Sequence, residues 1–105
     1  MSTDTAENLF HHLRLLLEKQ IERVKKNDFR GVEALAEQAD ALVADIVKIQ
    51  PPQRSLLKDR YEQLAALYQQ LELMIAAEKD SARRQLRKIG NGKKTIHAYH
   101  GKRQV

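Results

Sequence analysis

The 105-residue chain contains no cysteine and no tryptophan. Without thiols it cannot form disulfides, cysteine-ligated zinc sites or thiol nucleophiles, and it fits a reducing compartment. Aromatic residues are scarce: Phe10, Phe29, Tyr61, Tyr68 and Tyr99 are all of them. A core must therefore be built mainly from Leu, Ile, Val and Ala. No apolar run approaches the ~20 residues needed to span a bilayer. No basic start followed by an apolar run marks a signal peptide, so a cytoplasmic protein is expected. Period-two strand patterns are absent as well. Proline occurs only at Pro51 and Pro52, and glycine only at Gly31, Gly90, Gly92 and Gly101.

The most informative absence is local. Residues 81–105 contain no Asp or Glu, yet carry Arg83, Arg84, Arg87, Lys88, Lys93, Lys94, Lys102 and Arg103. Residues 1–80 hold eleven Lys/Arg against fourteen Asp/Glu, so a body of net charge −3 precedes a segment of +8. A basic arm of this kind suits contact with an acidic partner; otherwise it is a solvated terminus.

What remains is helical. Leu9, Phe10, Leu13, Leu16, Leu17, Ile21 and Val24 recur at three-and-four spacing and predict a helix over about 4–26. Ser2 to Thr5 offer N-caps, and Lys25 and Lys26 suit the C-terminal end. Asn27 or Asp28 caps a second helix over about 28–49, with its stripe at Val32, Leu35, Ala36, Ala39, Leu42, Val43, Ile46 and Ile49. So short a connection makes the two an antiparallel hairpin. Pro51-Pro52 ends the second helix and opens a third over about 52–89, which has no internal Gly or Pro. Its seam, Leu57, Tyr61, Leu64, Tyr68, Leu71 and Ile75, alternates steps of four and three, a heptad pattern that Glu78 and Gln85 then degrade. Gly90 reads as the C-cap that stops it. The expectation is an all-α protein. An antiparallel three-helix bundle occupies 1–90, the second half of its long third helix projects, and a basic tail at 91–105 holds a short helix at 93–99.

Catalytic and metal chemistry find little footing. His11 and His12 are adjacent and point roughly 100° apart on a helix. His97 and His100 share a turn but have no carboxylate in the tail to complete a ligand set. No serine sits in a nucleophile-elbow context, and Asp45 and Glu78 lack an evident partner. Gly90-Asn91-Gly92-Lys93-Lys94-Thr95 departs from the Walker pattern through its second lysine and its preceding helix. No enzyme activity and no cofactor are expected. Two binding readings remain. The basic patch of Arg83, Arg84, Arg87, Lys88, Lys93 and Lys94 could neutralise nucleic-acid phosphates, with Tyr99 alone offering a stacking surface. Alternatively, Leu86, Ile89, Ile96 and Tyr99, apolar residues in an otherwise basic stretch, mark a protein-binding surface. A homodimer that buries two copies of the third helix would satisfy the seam equally.

Three features together resemble the small flagellar type III export chaperones (the FlgN/FliT type). They are the first helix with Leu15-Leu16-Leu17-Glu18, the second-helix stretch Asp28-Phe29-Arg30-Gly31-Val32-Glu33-Ala34-Leu35, and the terminal signature Leu86-Arg87-Lys88-Ile89-Gly90-Asn91-Gly92-Lys93-Lys94-Thr95-Ile96-His97-Ala98-Tyr99. The resemblance implies a non-enzymatic cytoplasmic escort for a flagellar axial subunit, such as a hook-associated or filament-cap protein. It implies a client groove at Leu67, Leu71, Met74, Ile75 and Leu86. It also implies docking to the export-gate membrane protein through Ile96 and Tyr99.

Overall fold

The computed structural model describes residues 3–78 and 83–102, with side chains at 4–50, 54–78 and 89–98. Every regular element among them is helical: α1 (Thr3–Lys25), α2 (Phe29–Ile46), α3 (Pro51–Leu56), α4 (Lys58–Ala76) and α5 (Arg83–Lys102). The protein is all-α.

The α1–α2 connection follows from two consecutive residues, Asn27 and Asp28. Asn27 takes the left-handed conformation at φ 56°, which asparagine tolerates better than most residues. The Asn27 N–H then donates to the Val24 carbonyl at 2.9 Å, and the Asp28 N–H to the Arg23 carbonyl at 2.8 Å. These are the paired bonds of a Schellman stop. Asp28 immediately starts α2, its Oδ1 accepting from the Gly31 N–H at 2.9 Å. With only Lys26, Asn27 and Asp28 between the helices, α2 must return antiparallel along α1.

The third expected helix departs from its sequence reading in two places. It is interrupted at Leu57, which leaves helical geometry at φ −104° and is 2% exposed in the core, separating the short α3 from α4. It also stops at Ala76 rather than at Ile89. The Ala77 N–H donates to the Leu73 carbonyl and the Glu78 N–H to the Ile75 carbonyl, a tightening last turn. The chain does not project. It returns as α5, which packs against both α4 and α2.

The result is two antiparallel hairpins, α1–α2 and α4–α5, laid against each other, with α1 touching α4 and α2 touching α5. With α5 packed against α4 and α2, this arrangement replaces the expected three-helix bundle and its basic tail. Gly90 does not end a helix, because α5 runs through both Gly90 and Gly92 without a positive φ. Ile89 and Ile96, at 2% and 1% exposure, join the core from α5 and outweigh the helix propensity lost at the glycines. The seam Leu57, Tyr61, Leu64, Tyr68, Leu71 and Ile75 is entirely buried. Phe10 meets Tyr61 edge-on with centroids 4.8 Å apart at 77°, which locks α1 to α4. Such pairs contribute about 0.5–1.5 kcal/mol beyond their buried area.

Candidate partner-binding surface

The client groove expected from the sequence lies in the later part of the third helix, at Leu67, Leu71, Met74, Ile75 and Leu86. Leu71 and Ile75 have no exposed area, while Leu67 and Met74 are half-buried along the edge of the core. The side chain of Leu86 lies outside the described ones. The four described residues therefore do come together on one face of α4, but that face is enclosed between α1 and α5. Ile96, assigned to gate docking, is a core residue. The Tyr99 side chain lies outside the described residues, as do those of Arg83, Arg84, Arg87 and Lys88. Leu73, midway between the seam residues Leu71 and Ile75, points outward with 63% exposure, and Leu56 on α3 with 75%.

What holds α5 in place is compact. Gly92 lies directly against the Tyr68 phenol, leaving no room for a β-carbon between α5 and that ring. One residue on, Lys93 Nζ donates to Glu72 Oε1 at 2.7 Å, a half-buried ion pair that crosses from α5 to α4. Lys94 is exposed, so two adjacent lysines of the expected basic patch have separate fates. Thr95 Oγ1 donates to the Asn91 carbonyl at 3.0 Å, within the helix.

Burial leaves Tyr68 with an unusual hydroxyl. Its oxygen is shielded from solvent without a hydrogen-bond partner, and desolvation, with the nearby Asp40 carboxylate as a smaller contribution, pushes its ionisation well above the ordinary phenol range. The phenol stays neutral at any physiological pH. Gln20, on α1, is also buried in the core, and its Oε1 is without a partner as well.

His11 Nδ1 accepts from Arg14 Nη2 at 2.9 Å, which places the proton of the neutral imidazole on Nε2. His12 and His97 are exposed, and no group of three or more His, Asp or Glu capable of holding a metal occurs among the described residues. No helix among the described residues is long and apolar enough to cross a membrane.

Sequence reasoning missed the Gly92–Tyr68 approach and the Lys93–Glu72 pair. A signal for the first was present: Gly92 stands three residues after Ile89 and four before Ile96, on the stripe of an amphipathic helix rather than beyond its end. No protein-family model matches the chain, and neither the curated proteins nor the solved structures include a match to it.

Proposed function

We propose that the chain is a non-enzymatic cytoplasmic export chaperone. It captures a helical segment of a flagellar axial subunit, a hook-associated or filament-cap protein, and delivers it to the membrane protein of the export gate. One observation supports this reading: α4 offers a continuous apolar track, and the helix beside it is a poor filler. Among its described residues α5 brings two large apolar side chains to the core, Ile89 and Ile96, with Gly92 between them. Its seven Lys/Arg stand without a single acidic residue.

A client helix with three or four large apolar residues in that place would bury more surface than α5 does. Each such side chain contributes about 1.5–3 kcal/mol, less the cost of ordering both partners. Capture in this mode has α5 yield its position along Leu71 and Ile75, while Leu67 and Met74 form the rim. Release of α5 would free Ile96, and Tyr99 would dock beside it at the gate. The basic positions 83, 84, 87, 88 and 94 would speed encounter with an acidic surface more than they add affinity.

The test is affinity capture of the tagged chain from its native lysate, with nuclease and at two salt concentrations, followed by direct binding of the captured subunit's helical peptide. A stoichiometric axial subunit that survives both treatments is expected. Ile89→Asp, which loosens α5 without touching α4, should bind the peptide more tightly than the wild type. A partner lost on nuclease treatment, or an Ile89→Asp variant with no gain, would overturn the reading.

The charge of α5 favours a second reading, as a basic-tailed nucleic-acid-binding or regulatory coiled-coil protein. Because Lys93 is engaged with Glu72, that reading predicts that Lys94→Ala weakens binding uniformly across sequences and reduces the salt slope by about 1, with a smaller effect from Lys93→Ala.

A further inference from the structure

A second surface lies on the other hairpin contact, away from α5. Between α1 and α4 runs a cleft of about 330 Å³, at the small end of the range that ligand sites occupy. Arg14 reaches it from α1 and Arg60 from α4. The Arg14 Nε is shielded from solvent and has no hydrogen-bond partner, although its Nη2 donates to His11. Among the described residues neither guanidinium has a carboxylate within ion-pair distance, and Glu7, which lines the same cleft, pairs with neither.

Two unpaired guanidinium groups converging on one cleft are uncommon in a body whose acidic residues outnumber its basic ones. Cationic groups held together without a carboxylate partner repel each other, and an anion between them relieves that cost. We infer that this cleft binds a carboxylate, supplied by an acidic side chain of a partner polypeptide or by a small free acid. Arg14 offers the accessible end of its guanidinium fork from α1, and Arg60 offers a second guanidinium from α4. Asn8 and Gln63 add neutral amide donors at the edges. The charge count selects the class: two arginines against Glu7 leave a single positive charge, which one carboxylate neutralises, whereas a phosphomonoester dianion would stand beside the Glu7 carboxylate in excess. Phe10 and Leu64 form an apolar floor with almost no exposed area, so the site grips a head group rather than an apolar body.

The site is independent of the chaperone reading, since it uses no residue of the α4–α5 contact. Its test follows the arginine Nε–H and backbone amide resonances of the ¹⁵N-labelled full chain during titration. The probes are sodium acetate, a blocked Ala-Glu-Ala tripeptide, inorganic phosphate and, as control, sodium chloride, all at matched ionic strength. Acetate and the peptide should each give saturable shifts centred on Arg14 and Arg60, with chloride giving none. Tighter binding of the peptide than of acetate assigns the carboxylate to a partner's side chain; equal binding assigns it to a free acid. Arg60→Gln, an exposed substitution that leaves the melting temperature unchanged, should weaken binding at least about fivefold, and Arg14→Lys should do so while retaining the charge. Shifts that match chloride, tighter binding of phosphate than of either carboxylate, or full affinity in Arg60→Gln would each overturn the assignment.

Discussion

Gly92 is a contact residue: a β-carbon at that position would stand 2.6 Å from the hydroxyl oxygen of Tyr68. The Tyr68 ring is buried on all sides and cannot swing away cheaply, so the glycine sets how closely α5 approaches α4. Gly90, two residues earlier in the same helix, has nothing within 4 Å of such an atom. The pair makes a controlled comparison of two glycines in one helix.

Gly90→Ala should raise stability by about 0.5–1 kcal/mol, the ordinary gain of alanine over glycine in a helix. Gly92→Ala should lower it by about 1–3 kcal/mol, because overpacking against Tyr68 exceeds the same propensity gain. Urea denaturation of the two variants, followed by circular dichroism, reads both signs. Equal stabilisation by both would show that α5 is not seated on Tyr68.

The α1–α2 corner rests on Asp28, which accepts from the Gly31 N–H and stands 3.6 Å from Arg23 Nη1. Asp28→Ala should cost about 1 kcal/mol, mostly through loss of the N-cap. Arg23→Ala should cost less, since both partners of that ion pair are well exposed and such pairs contribute about 0–1 kcal/mol. Thermal melts of the two single variants rank the cap against the pair, and a larger loss in Arg23→Ala would reverse the assignment.

Tyr68 makes stability depend on alkaline pH. Burial raises its ionisation in the folded chain above the ordinary 10.0, whereas the unfolded chain ionises near that value. Below pH 10 both states keep the proton and this contribution to stability is complete. Above it the unfolded state loses its proton first, so stability falls as pH rises toward the folded value. Tyr68→Phe should remove this part of the slope. At neutral pH it should be nearly neutral, because the hydroxyl it deletes has no partner. Unfolding free energies of the two proteins between pH 8 and 11 give the difference, and parallel slopes would show that the phenol reaches solvent.

How far these features were legible follows from where their causes lie. The stripes of α1 and α2 and the cap at Asp28 are local, so periodicity and spacing locate them. The seam from Leu57 to Ile75 is equally plain, and it is buried as its heptad spacing implies. The return of α5 is different in kind. Glycine in a helix costs up to about 1 kcal/mol, and Gly90-Asn91-Gly92 accordingly reads as a stop. Burial of Ile89 and Ile96 against a surface built elsewhere in the chain overrides that local preference. The Arg14–Arg60 cleft is less legible still: the two arginines lie 46 positions apart, and no local pattern brings them to one place.

Leu71 and Leu73 carry the last prediction, since they separate a core role from a surface role on the same helix. Leu71 has no exposed area and Leu73 is 63% exposed. Leu71→Glu would place an unpaired carboxylate in the core, at a cost of several kcal/mol that approaches the whole stability of a small domain. It should unfold the chain and abolish all binding, so it cannot by itself identify a client groove. Leu73→Glu should leave the melting temperature within a few degrees of the wild type. Met74→Glu, half-buried at the rim, is the informative substitution: a folded variant that loses the client peptide places capture on the α4 face. A folded Met74→Glu variant with wild-type affinity would move the client to another surface of the bundle.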